Sequence, residues 1–202
     1  MFMQVIQGRV ADEPRLRRCM DRWRDELRPG ATGYLGSTSG TRPDGTFIAL
    51  VRFESEEAAR RNSERPEQGE WWAETEQCFE GPVTFMDCAD ATEWLGGGSD
   101  DAGFVQVLEG HTTDAPRLRE LMIEAGDKLP AVRPEIIGGT FASATDGGYV
   151  EAVYYTTESE ARAHEHITVP DDLRSLFDEE RPLMGEIDYY DLREPMLVSS
   201  DR

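Results

Sequence analysis

The chain has 202 residues, with 41 Asp and Glu against 21 Lys and Arg and a formal net charge of −20. A surface this acidic repels phosphate backbones and excludes general nucleic-acid binding. No apolar run approaches the roughly 18 residues that span a bilayer, and the length suits one large domain or two small ones.

The opening residues, Met1-Phe2-Met3-Gln4-Val5, have no basic region ahead of an apolar stretch, so no secretory signal is expected. Phe2 to Gly8 then reads as a first strand, mostly apolar with β-branched members. Asp12, two residues before Pro14, predicts a helix start, because its carboxylate can accept the unpaired N–H groups and proline fits the first turn. Leu16, Met20, Trp23 and Leu27 continue as one apolar helical stripe. Ala31 to Thr38 and Phe47 to Phe53 read as strands about the turn Pro43-Asp44-Gly45. A capping pattern at Ser55-Glu56-Glu57-Ala58 opens a second helix, a further helical stretch covers about Gly69 to Phe79, and Val83 to Cys88 is a fourth strand.

The same order then recurs. Shifting the chain by 102 residues lays Gln4 to Met20 on Gln106 to Met122 with nine identities in 17 positions, among them Gln4 with Gln106 and Asp12 with Asp114. The second copy predicts strands at Phe104 to Gly110, Glu135 to Ser143, Tyr149 to Tyr155 and Glu186 to Asp191, with helices from Asp114, near Thr157 and over about Pro170 to Glu180. The expected boundaries are 1–95 for the first repeat, 96–102 for a glycine-rich linker, 103–195 for the second repeat and 196–202 for a polar tail.

Each repeat therefore reads as β-α-β-β-α-β, a four-stranded antiparallel sheet with helices on one face, the ferredoxin-like arrangement of an α+β protein. Phe47, Ala49, Val51 and Phe53 alternate with Ile48 and Leu50, so both faces of the sheet are expected to be covered. Helices cover one face, and the other repeat is the natural cover for the second. The expectation is a pseudo-dimer within the chain, two sheets forming an intramolecular dimeric α/β barrel.

The duplicated order, together with Phe53-Glu54-Ser55-Glu56-Glu57-Ala58-Ala59 at the third strand and second helix, resembles the dimeric α+β barrel superfamily and its antibiotic-biosynthesis-monooxygenase-like branch. Arg65-Pro66-Glu67-Gln68-Gly69-Glu70-Trp71-Trp72 is similar to actinobacterial tandem-barrel proteins. The resemblance implies a pocket in each repeat between sheet and helices. It also implies cofactor-independent oxygenation of polyketide-like aromatics, heme degradation, or binding without catalysis.

Candidate residues follow. Gln4 and Gln106, mid-strand amides, either bond to each other or to backbone, or face a ligand where the family commonly has an amide, usually Asn. Trp71 and Trp72 lie about 100° apart on a helix, so at least one points inward, as core or as a stacking surface with an N–H to donate. Asn62 is a pocket amide or a surface residue. Glu151, mid-strand where the first repeat has Ala49, is either paired with an arginine or tyrosine or is a proton acceptor of raised pKa, the candidate catalytic base. Tyr149, Tyr154, Tyr155, Tyr189 and Tyr190 are its candidate hydroxyl partners, and Tyr154 is counted with the ligand-binding residues.

His164 and His166, two apart on an expected helix, point away from each other and cannot chelate one metal, and no metal-ligand spacing occurs. Heme-degrading relatives use a histidine where the first repeat has Trp71 and Trp72, leaving His164 as the one substitute. Cys19, Cys78 and Cys88, without C-x-x-C spacing, read as free core thiols of a reducing, cytoplasmic location. Acidic runs such as Asp178-Glu179-Glu180 read as solvated faces. The expected function is handling of a small hydrophobic ligand, as a monooxygenase-like enzyme without cofactor or metal. The alternatives are a non-catalytic binder and a structural or interaction protein with filled cavities. No nucleic-acid or membrane partner is expected, and further association into a homodimer is left open.

Overall fold

In the computed structural model, which describes residues 1–200, each helix after a first strand begins on an aspartate. The Asp12 carboxylate accepts from the Arg15 N–H at 3.0 Å, and Asp114 accepts from Arg117 N–H at 3.1 Å. Ser55 and Thr157 cap the second helix of each half in the same way.

The chain divides into two units, one formed by residues 1–89 with the segment from Met196 onward, the other by residues 90–195. In the first unit β1 (Phe2–Val10) leads to α1 (Glu13–Arg22), then β2 (Tyr34–Thr41), β3 (Thr46–Phe53), α2 (Glu56–Ser63), α3 (Pro66–Thr75) and β4 (Phe79–Cys88). The second unit holds β5 (Asp90–Trp94), β6 (Phe104–His111), α4 (Ala115–Lys128), β7 (Ile136–Ser143), β8 (Gly148–Tyr155), α5 (Glu158–Ala163), α6 (Asp171–Met184) and β9 (Ile187–Leu192). The last strand, β10 (Met196–Ser199), belongs to the first unit. The sheets are ordered β10-β2-β3-β1-β4 and β5-β7-β8-β6-β9, every neighbouring pair antiparallel. Without their outer strands β10 and β5, both carry the ferredoxin-like order. The fold is α+β, two antiparallel sheets each with its helices.

Three features differ from the sequence expectation. The segment 196–202, expected as a polar tail, contains β10, which pairs with β2 from Met196 opposite Ser39 to Ser199 opposite Gly36; residues 201 and 202 lie outside the described residues. The strand takes the apolar run Met196-Leu197-Val198, not the polar residues after it, and β2 offers it an otherwise open edge. Residues 90–94, assigned to the first repeat, form β5 and pair with β7 of the second unit, Trp94 opposite Gly139. His164 and His166 do not sit on a helix, because α5 ends at Ala163 and the chain turns.

Burial follows strand parity as expected. Phe47 and Ala49 are buried on one side of β3 and Ile48 and Leu50 on the other, as are Tyr149 and Glu151 against Val150 and Ala152 in β8. The helical stripe also holds: α1 ends at Arg22 and widens into a π turn over Trp23–Leu27, which keeps Leu16, Trp23 and Leu27 buried. Among the described residues no helix is long and apolar enough to cross a membrane.

Candidate functional site

Each unit has a cavity between its sheet and its helices, and the two share no lining residue. The first, of about 80 Å³, is bounded by Gln4 and Ile6 of β1, by the inner residues of β3, and by helical residues from Leu16 to Thr75. Gln4, Asn62, Trp71 and Trp72 all line it. They converge because strand alternation turns Gln4 toward the helices and because Arg65-Pro66 breaks α2 from α3, bringing Asn62 and the two tryptophans onto one wall.

The polar groups of this wall are largely engaged. Trp71 is buried and its indole N–H donates to the Cys19 carbonyl at 2.8 Å, so it has none for a ligand. Trp72 is half-buried, 6.0 Å from Trp71 between ring centroids and edge-on to Phe85 at 5.3 Å. Its indole N–H has no partner among the described residues, which leaves it available to donate to a ligand. Asn62 is buried, not at the surface, and its Oδ1 accepts from Arg65 Nη1 at 2.9 Å. Gln4 donates its amide to Asp87 Oδ1 on β4 at 2.8 Å, and Gln106 donates to Asp191 Oδ1 on β9 at 2.9 Å. The two amides therefore do not bond to each other: the acceptor is an aspartate on the adjacent strand in both cases. Sequence reasoning did not assign Trp23 or Gln68 to this site. They line the cavity joined to each other, Trp23 Nε1 donating to Gln68 Oε1 at 2.8 Å. Gln68 stood in the helix break, and Trp23 passed for core. Among the described residues no ionisable side chain lines this cavity.

The second cavity, of about 190 Å³, lies between Leu108, Ile136, Glu151, Val153 and Tyr155 of the sheet and residues of α4 and α6. Burial pushes the Glu151 carboxyl up to about 8, with the charge of Glu180 adding to the effect. Glu180 reaches the same cavity from α6, and burial pushes it up to about 7. The reading of Asp178-Glu179-Glu180 as a solvated face fails at Glu180. Its spacing from Leu173 and Leu176, seven and four residues back on the helix, puts it on the buried stripe and was the available signal.

None of the candidate tyrosines bonds to Glu151. Tyr149 donates its hydroxyl to the Met184 carbonyl at 3.0 Å, and Tyr190 donates to Glu109 at 3.1 Å. Tyr154 is buried and, by strand alternation, faces away from Glu151; neither it nor Gln106 lines the cavity. His164 is also outside it, its Nδ1 paired with Glu135 at 2.9 Å. Among the described residues no three His, Cys, Asp or Glu side chains form a metal-binding group, and the three cysteines are buried and unbridged.

No family model matches the chain, and no curated protein matches it. Solved structures do. A candidate monooxygenase from Lactobacillus acidophilus NCFM superposes with a TM-score of 0.77 at 12% identity, over 98% of this chain and 96% of that one. A candidate monooxygenase from Fusobacterium nucleatum gives 0.75 at 9% identity, over 98% and 94%. A structure described as a major regulator of staphylococcal pathogenesis gives 0.55 at 9% identity, over 95% and 98%. At these identities the likeness speaks for architecture, which hosts more than one role. The chain is thus similar along nearly its whole length to monooxygenase-like proteins and has the ferredoxin-like α+β fold they share.

Proposed function

We propose that the chain handles a small hydrophobic aromatic molecule in the first unit's cavity, in the manner of a cofactor-independent monooxygenase-like enzyme. The observation that carries this is the convergence of Gln4, Asn62, Trp71 and Trp72 on one mostly apolar void. Indole faces suit a flat ligand, and the Trp72 N–H can donate to a carbonyl or phenol oxygen on it. The cavity, at about 80 Å³, is smaller than the roughly 150 Å³ apolar cavity that accommodates benzene, so a polycyclic ligand must displace the half-buried Trp72.

With no ionisable side chain in the wall, the acidity must come from the substrate. Anthrone-type compounds meet that requirement. The methylene loses a proton to water, and the carbanion's electron pair forms a C–O bond to dioxygen, giving a hydroperoxide; loss of the second C–H proton then forms the C=O bond as the O–O bond breaks, and the distal oxygen leaves as water.

The same neutral wall favours the second reading, a binder without catalysis, and the regulator that shares the fold supports it. Oxygen uptake with anthrone and with a simple hydroquinone separates the two. Turnover above the buffer rate that falls at least about tenfold in Trp72→Ala supports the enzyme. Thermal stabilisation by the same compounds without oxygen uptake supports the binder, and neither effect counts against both.

A further inference from the structure

The cavity of the second unit differs in kind from the first. Its walls are mainly apolar and aromatic, yet two carboxyl groups reach it from opposing elements, Glu151 from β8 and Glu180 from α6. Glu151 is only 7% exposed and makes no hydrogen bond or ion pair with any described residue. An unpartnered carboxyl at such burial costs free energy whether charged or neutral, on the order of 1–3 kcal/mol even when neutral. The equivalent position of the first unit shows that the fold does not require it, since Ala49 lines the first cavity there.

The neighbouring charges leave this acidity uncompensated. Arg133 is the one cation among the lining residues, and its guanidinium is committed to the Glu135 carboxylate and, at 3.1 Å, to the Ala161 carbonyl. Tyr149, beside Glu151 on β8, has given its hydroxyl to Met184, and Tyr155 has burial pushing its own phenol up to about 12. Two carboxyls and the Tyr155 hydroxyl fall short of the six or more oxygen ligands that a hard divalent cation takes. A cation that fits must therefore carry its own apolar body.

We infer that this cavity is a binding site for a small lipophilic amine, held as its ammonium ion by Glu151 and Glu180 with its apolar part against Trp94, Tyr155 and Phe177. The void, about 190 Å³, exceeds the roughly 150 Å³ that accommodates benzene, so an aryl-alkyl amine has room. Aromatic walls add cation–π attraction to the ion pair. The elevated titration of both carboxyls means that the empty pair holds protons near neutrality. Binding then exchanges charge evenly: the ammonium enters with its positive charge, a carboxyl becomes carboxylate, and one proton leaves to the buffer. The inference does not rest on the proposed function, because the cavities share no residue.

Calorimetry on the full chain tests it with 2-phenylethylamine, 2-phenylethanol and 3-phenylpropionate. The amine is expected to bind at least about tenfold tighter than the alcohol, the carboxylate not measurably. Near neutral pH the heat of amine binding should depend on the buffer's ionisation enthalpy, reporting release of about one proton. Glu151→Gln and Glu180→Gln should each weaken amine binding about tenfold or more and reduce proton release, while leaving alcohol binding within about twofold. Equal affinity for amine and alcohol, binding of neither, or amine binding unchanged in both variants overturns the assignment, and the cavity is then a hydrated acid pair. The two variants lie on different elements, so a folding defect in one leaves the other to decide.

Discussion

Glu151 and Glu180 face the same cavity from opposite walls, and neither carboxyl has a hydrogen-bonding partner among the described residues. Their burial has a consequence for stability whether or not a ligand binds. Both groups hold their protons to higher pH in the folded chain than in the unfolded one, where Glu titrates near the ordinary 4.5. The stability they contribute is complete below that value and is lost as pH rises through about 7 for Glu180 and about 8 for Glu151. Melting temperature should fall across this window. Glu151→Gln should flatten the decline and raise Tm near pH 8 by about 4 °C or more. A variant whose Tm follows the parent's at every pH contradicts the burial argument.

The two adjacent tryptophans should respond differently to loss of their N–H groups. Trp71→Phe removes the indole donor from the Cys19 carbonyl, which keeps the Trp23 backbone N–H, and leaves space where the larger ring stood, at a cost of about 1–3 kcal/mol. Trp72→Phe breaks no hydrogen bond among the described residues and should cost less than about 1 kcal/mol, while weakening any ligand that takes its N–H. Urea melts of the two variants read the difference directly.

Trp94 and Gly139 make a third test. They are opposite each other across β5 and β7, and a Cβ at Gly139 would lie 1.9 Å from Trp94 Cε2. The indole covers the glycine and is buried, with Gly126 of α4 meeting it from the helical side. Gly139→Ala must expel the ring and should cost at least about 2 kcal/mol. Trp94→Ala in the same background should remove most of the clash. A double variant less stable than Trp94→Ala by that same amount would show the indole is not what occupies the space.

The fold was legible because its signals are local and repeated. Asp12 with Pro14 and Asp114 with Pro116 marked two helix starts that the capping bonds match, and the apolar residues at both parities of β3 matched its burial. What escaped were relationships across elements. Nothing near Met196–Ser199 announces pairing with β2, because an edge strand's partner is decided by backbone groups and not by side-chain pattern. The acceptors of Gln4 and Gln106 lie more than 80 residues away. Glu180 was hidden by its acidic neighbours, although its phase with Leu173 and Leu176 was readable. The cavity walls gathered Gln4, Asn62, Trp71 and Trp72, but Gln106 and Tyr154 line neither cavity, strand alternation turning Tyr154 to the other face of β8.

The outer strands carry a wider implication. β5 follows β4 after a single residue yet completes the second sheet, and β10 follows β9 closely yet completes the first. The first unit is therefore split in sequence, residues 1–89 with β10 on the far side of the second unit, and could not be excised as one stretch and moved into another protein intact. A chain cut at its glycine-rich join would leave an N-terminal fragment with β2 as a bare edge and a spare β5, open to unwanted pairing. Whatever evolutionary trimming or engineering this protein undergoes, its two ends are bound to be inherited together.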